Sequence, residues 1–179
     1  MVTSCGKDFE RELVAASKHL GAWSLNSNDP VPCCDRILSV PVRAKADVVL
    51  GLTVLLEAKE CRTDTFTLAR ISSNERKQMN AFVLGGGVAA VIIKHVTGRT
   101  PRYFATLWTD WLEMERALGF EPDLSPSKGR RKSGTASMSL RDGERPSALV
   151  ELVRVERPHS LGWTFDLAPI LPAGVEVAR

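Results

Sequence analysis

Val48-Val49-Leu50-Gly51-Leu52-Thr53-Val54-Leu55-Leu56-Glu57-Ala58-Lys59 is an apolar run that ends on a carboxylate and an ammonium, with Asp47 just before it. Side chains two apart on a strand project to the same face. Glu57 and Lys59 are therefore expected to stand together at the end of a buried strand, with a hairpin partner bringing Asp47 beside them. Two carboxylates can hold a hard divalent cation against a phosphate, and an ammonium two residues on can steady an attacking water and the negative charge that develops. Such a triplet arises often by chance, so its surroundings must carry the reading.

Before the run, Lys7 to Leu20 reads as a helix. Phe9, Leu13, Ala16 and Leu20 recur at helical spacing and Gly21 stops it. On the helical wheel Glu10 falls between Leu13 and Val14, at the edge of the buried face, where it can look into a site, whereas Arg11 points away. Trp23 to Arg43 reads as a loop leading into an edge strand. The pieces on either side of Gly51 form a hairpin or one long bent strand.

After the run, Thr63 to Ala69 is polar and irregular. Ser72 and Glu75 match a capping box, so a helix is expected from about Ser73 to Leu84, with Glu75, Met79, Phe82 and Val83 inward and Gly85-Gly86-Gly87 as its stop. Val88 to His95 reads as a buried strand and Arg102 to Leu107 as its neighbour. Thr109 is expected to cap a third helix running to Leu118. Trp111, Met114 and Leu118 would face inward on it; the Trp108, Trp111 and Met114 face is either core or an interface between copies. Glu121 to Ser147 has no apolar period. Ala148 to Arg157 alternates like a strand, and Trp163 to Ile170 can return as its partner.

With 179 residues, 44% of them apolar, the chain suits a single core with appendages. It has neither an apolar stretch long enough for a membrane span nor the apolar segment of a secretory signal near Met1, so a cytoplasmic protein is expected. Cys5, Cys33, Cys34 and Cys61 show no zinc-ligand spacing and read as idle thiols, with a Cys33–Cys34 redox pair as the strained alternative. Residues 1–127 hold 15 basic and 15 acidic residues and residues 128–179 hold 9 and 6, so the net charge of +3 comes from the C-terminal part. Lys128, Arg130, Arg131 and Lys132 supply most of it, either as a DNA phosphate contact or as a solvated loop. His19, His95 and His159 are scattered, which argues against histidine-based catalysis.

The order of Glu10-Arg11-Glu12-Leu13-Val14 on a first helix, Asp47, Glu57-Ala58-Lys59, then Gln78 on a second helix followed by three glycines and a buried strand resembles the PD-(D/E)xK nuclease superfamily. Within it the chain is similar to Holliday junction resolvases of the archaeal and RecU types, over about residues 6–112. The resemblance implies an α/β, restriction-endonuclease-like core with a mixed central β-sheet flanked by helices. It does not cover the C-terminal third, where the residue patterns themselves place, after a nuclease core (1–120), a basic flexible linker or loop (121–147) and a C-terminal β-hairpin extension packing on the core (148–179). It implies Mg2+ or Mn2+ held by Asp47, Glu57 and Glu10, with Lys59 at the attacking water or scissile phosphate and Gln78 near the site.

The implied function is a metal-dependent endodeoxyribonuclease resolving branched DNA such as a four-way junction, as a two-fold homodimer. Two departures bear on specificity: Pro41 to Asp47 is too short for the RecU stalk, and Trp23 to Ser27 lacks the arginine of the archaeal type. The alternatives are a structure-selective or restriction-like nuclease on other DNA forms, and a non-catalytic DNA-binding accessory protein with a degenerate nuclease fold.

Overall fold

The computed structural model describes residues 5–26, 36–43, 49–121, 136–156, 163–173 and 175–178. Alternation of apolar and polar positions sets the central hairpin, in which β2 (Arg36–Arg43) runs antiparallel to β3 (Val49–Cys61) from Arg36 opposite Leu56 to Arg43 opposite Val49. Gly51 lies inside β3, so the one long strand is the form adopted. From Val54 onward β3 pairs in parallel with β5 (Val88–His95), and β5 pairs antiparallel with β6 (Arg102–Leu107). β1 (Trp23–Asn26) and β11 (Glu176–Val177) both add to β2, and β8 (Val150–Glu151) extends β6, giving a mixed seven-stranded sheet.

Helices cover both faces. Strand side chains alternate, so Val54 and Leu56 of β3 with Ala90 and Ile92 of β5 form one core with Phe9, Leu13 and Ala16 of α1 (Cys5–His19). Leu55 and Cys61 with Val91 and Ile93 form the other, against Met79 of α2 (Ser73–Leu84) and Trp108, Trp111 and Met114 of α3 (Trp108–Ala117). A strand covered on both sides has no face for water, which is why β5 reads as an almost unbroken apolar run. This is the α/β architecture with a mixed, helix-flanked sheet that the sequence implied.

The crossover from β3 to β5 passes through β4 (Thr65–Thr67), a 3-10 turn at Leu68–Arg70 and α2. Ser72 Oγ accepts from Glu75 N at 3.3 Å and Glu75 Oε2 accepts from Ser72 N at 2.6 Å, the reciprocal capping box expected from the pattern. Ser72→Ala is expected to destabilise the fold by about 1 kcal/mol, measured by urea denaturation; an unchanged midpoint would show that the first turn forms without the hydroxyl. The glycine stop works through backbone freedom, with Gly86 at φ 86°.

Five expectations change. Leu118, expected inward, is 41% exposed, and β2, expected at an edge, is paired on both sides by β1 and β3. The third helix starts at Trp108 with Leu107 as its N-cap, and Thr109 caps nothing because it already lies inside the first turn. Trp108 and Trp111 are core, at 1% and 0% exposed, so the interface alternative for that face falls away. In the stretch read as linker, β7 (Ser137–Ser139) pairs with β4 and buries Met138 and Leu140 in the core of α2 and α3, as two apolar side chains among polar ones gave no periodic signal. Further on, β9 (Arg154–Glu156) and β10 (Trp163–Phe165) form the C-terminal hairpin, and Phe165 stacks on Tyr103 with ring centroids 4.3 Å apart. Among the described residues no helix is long and apolar enough to cross a membrane.

Candidate active site

Glu57 and Lys59 lie on β3 beside Val91 and Ile93 of β5. They follow Leu55 in the alternation, which turns them to the α2 side of the sheet. Glu57 is only 2% exposed. A carboxylate buried this far from water is costly unless a cation answers it, and Lys59 Nζ is in direct contact with Glu57 Oε1. Lys59 Nζ also donates to Glu75 Oε1 at 3.0 Å.

Glu75 thus has two tasks. One carboxylate oxygen receives the Ser72 backbone N–H and the other receives Lys59. Burial by itself lowers the Lys59 pKa, but Glu57 and Glu75 together outweigh it and hold the ammonium above its ordinary value. Burial alone raises Glu75, but the Ser72 N–H and the Lys59 ammonium prevail and keep its carboxyl below the usual range. At neutral pH Lys59 is therefore an ammonium and Glu75 a carboxylate.

Gln78 lies one helical turn beyond Glu75, and residues three apart share a helix face. Its Oε1 is buried and has no hydrogen-bond partner among the described residues. The sequence pointed to Gln78 but treated Glu75 only as a cap and an inward-facing position. The capping-box position of Glu75 gave no signal that its second oxygen turns to Lys59.

Glu10 is not brought together with Glu57 and Lys59. Its carboxylate is 53% exposed and 3.8 Å from Arg36 Nη2. Arg36 stands directly opposite Leu56, and directly opposed residues in an antiparallel pair share a face. The Glu10–Arg36 pair consequently lies on the α1 side, lining a cleft of about 320 Å³ with Arg11 and Val14.

Asp47 lies outside the described residues, as do Cys33, Cys34, Lys128, Arg130, Arg131 and Lys132. The hairpin register still bears on the second carboxylate. Arg43 opposite Val49 is the last described pair at one end of the hairpin and Arg36 opposite Leu56 the last at the other. Val49 and Glu57 are separated by a rise of roughly 26 Å on a regular strand.

A second ionic cluster went unforeseen. Lys94 Nζ donates to both Glu12 oxygens at 2.9 and 2.8 Å, and Tyr103 Oη donates to Glu12 Oε2 at 3.0 Å, under α1. A lysine inside an apolar strand was its only trace in the sequence.

The Glu57 carboxylate is a hard oxygen donor, and Mg2+ is commonly held by one or two carboxylates with water and substrate phosphate completing the shell. Among the described residues there is no group of three or more His, Cys, Asp or Glu placed to hold a metal.

No family model and no curated protein matches the chain. Among solved structures, the chain is similar to Hjc, a Holliday junction resolvase from Archaeoglobus fulgidus, an archaeal hyperthermophile. The two are 23% identical; the likeness covers 56% of this chain and 71% of that one, with a TM-score of 0.39.

Proposed function

We propose that this chain is a metal-dependent endodeoxyribonuclease that cuts branched DNA such as a four-way junction, acting as a two-fold homodimer. The observation that carries the reading is the contact of a buried carboxylate, Glu57, with an ammonium, Lys59, two residues on and on the same sheet face. An isolated surface ion pair would need no burial, whereas a site for a cation and a phosphate needs both charges held in a water-poor place.

In this reading Glu57 would hold Mg2+ or Mn2+ with an aspartate, and Gln78 would act near the site. The metal supplies Lewis-acid stabilisation of the phosphate and lowers the pKa of water. Lys59 donates hydrogen bonds to the attacking water and to the charge that builds on the scissile phosphate. Lys128, Arg130, Arg131 and Lys132 contact the DNA backbone, so binding weakens as salt rises. Glu10 is given no metal role, because its described partner is Arg36 on the other side of the sheet.

The aspartate is proposed from the two that flank the hairpin strands. Asp47 precedes β3 in the sequence, whereas Asp35 immediately precedes Arg36. Arg36 is paired with Leu56, the neighbour of Glu57. Asp35→Asn is therefore expected to reduce cleavage of a labelled four-way junction by at least about a hundredfold, and Asp47→Asn to reduce it less. The reverse order would restore Asp47 as the ligand.

The deciding experiment incubates labelled four-way junction, duplex and flap DNA with Mg2+ or Mn2+. Paired cuts in the junction support a resolvase; cuts confined to duplex or flap support the broader nuclease reading. Binding without cuts in either metal would make the chain an accessory DNA-binding protein.

A further inference from the structure

Lys59 touches two carboxylates, and only one of them is needed to neutralise it. A divalent cation on Glu57 would compete with the ammonium for the same oxygen and repel it at short range. An enzyme with Glu57 as its sole anchor for Lys59 would have to discard the lysine whenever it bound metal.

We propose that Glu75 is a positioning residue that receives Lys59 when a divalent cation occupies Glu57, so that metal and ammonium are held side by side. This rests on the nuclease reading and adds to it the means by which Glu57 is freed. Glu75 is built for the task. Its Oε2 is tied to the Ser72 N–H at 2.6 Å, which leaves Oε1 directed to Lys59 at 3.0 Å.

The helix around it is also anchored. The next residue, Arg76, is 2% exposed and bonds to Glu115 of α3 and to the carbonyls of Leu68 and Ile71. With its carboxylate fixed at one oxygen and its helix pinned at the following residue, Glu75 can accept the ammonium without moving. Glu57 supplies the charge that draws a cation in, and Glu75 supplies the place to which Lys59 retreats.

The test is a Mn2+ titration of the full chain without DNA, read by the electron paramagnetic resonance of free Mn2+. It compares wild type, Glu75→Gln, Lys59→Met and the double variant. Glutamine retains an amide oxygen for the Ser72 N–H but lacks the charge that holds Lys59. Glu75→Gln is expected to weaken Mn2+ binding roughly tenfold, as outer-shell partners of metal ligands commonly do. In the Lys59→Met background the same substitution is expected to change nothing, because the competitor is gone.

An equal loss in both backgrounds would mean that Glu75 acts as a ligand or as bulk charge, and would overturn the proposal. So would a wild type that binds Mn2+ and cuts DNA alongside a Glu75→Gln variant with the same Mn2+ affinity. A wild type that neither binds Mn2+ nor cuts DNA removes the nuclease reading and this inference together. Thermal unfolding of each variant identifies any loss that comes from misfolding.

Discussion

Lys59→Ala is expected to lower junction cleavage by a factor of at least about 10² while leaving junction binding, measured in Ca2+, close to wild type. The side chain is the one ammonium in contact with both carboxylates of the site, and it is 18% exposed, enough to meet a bound phosphate without being surrounded by water. In such a place a hydrogen bond to developing charge is stronger than in bulk solvent. The substitution also leaves Glu57 buried without its cation, so the variant is expected to be less stable in the absence of metal and to recover stability on adding Mn2+. Cleavage at the wild-type rate by Lys59→Ala would remove the lysine from the chemistry and reduce the cluster to a structural ion pair.

The largest effect on stability is expected at Arg76. Its guanidinium donates to Glu115 Oε2 at 2.5 Å and Oε1 at 2.7 Å, to Leu68 O at 2.9 Å and to Ile71 O at 2.9 Å. Glu115 Oε1 also receives Trp111 Nε1 at 2.5 Å. Each polar atom of the pair is answered, and both residues are 2% exposed. Removing one partner strands the other charge in the core, so Arg76→Met is expected to cost about 3–5 kcal/mol in urea or thermal unfolding. Replacing both partners with apolar residues is expected to cost less than either single change, because no lone charge remains. A double variant as unstable as the sum of the singles would show that packing around the pair, and not charge, is what matters.

These two expectations belong to different levels of the molecule. Arg76 fixes α2 on α3, and α2 carries Glu75 to the strand that bears Glu57 and Lys59. Loosening the buried pair should therefore lower cleavage as well as stability, with the activity loss following the fraction unfolded.

Much of the fold was legible because local signals agreed with one another. The limits of β5 and β6, the span of α2 and its capping box can be read from apolar runs, Ser72, Glu75 and the glycines, since each depends on neighbours a few residues apart. α3 starts two residues earlier than a Thr109 cap implies, because Leu107 takes the N-cap position and Thr109 already lies inside the first turn. Met138 and Leu140 were missed because burial of a short strand is decided by its partner, β4, far away in the chain.

The site divides along the same line. Glu57 and Lys59 share a face because strand geometry repeats every two residues, and no tertiary contact is needed to know it. The part played by Glu75 and the separation of Glu10 onto the other side of the sheet were both beyond local reading. Each depends on which strand end meets which helix.

The amino-acid sequence alone settled the span of α2, the limits of β5 and the pairing of acid and amine on β3, for these follow from backbone periodicity and short-range hydrogen bonds. Only the tertiary structure decided which distant groups join that pair and which remain apart. Strand register and the burial of charge between layers are set by contacts among residues tens of positions apart, and no short stretch of chain encodes them.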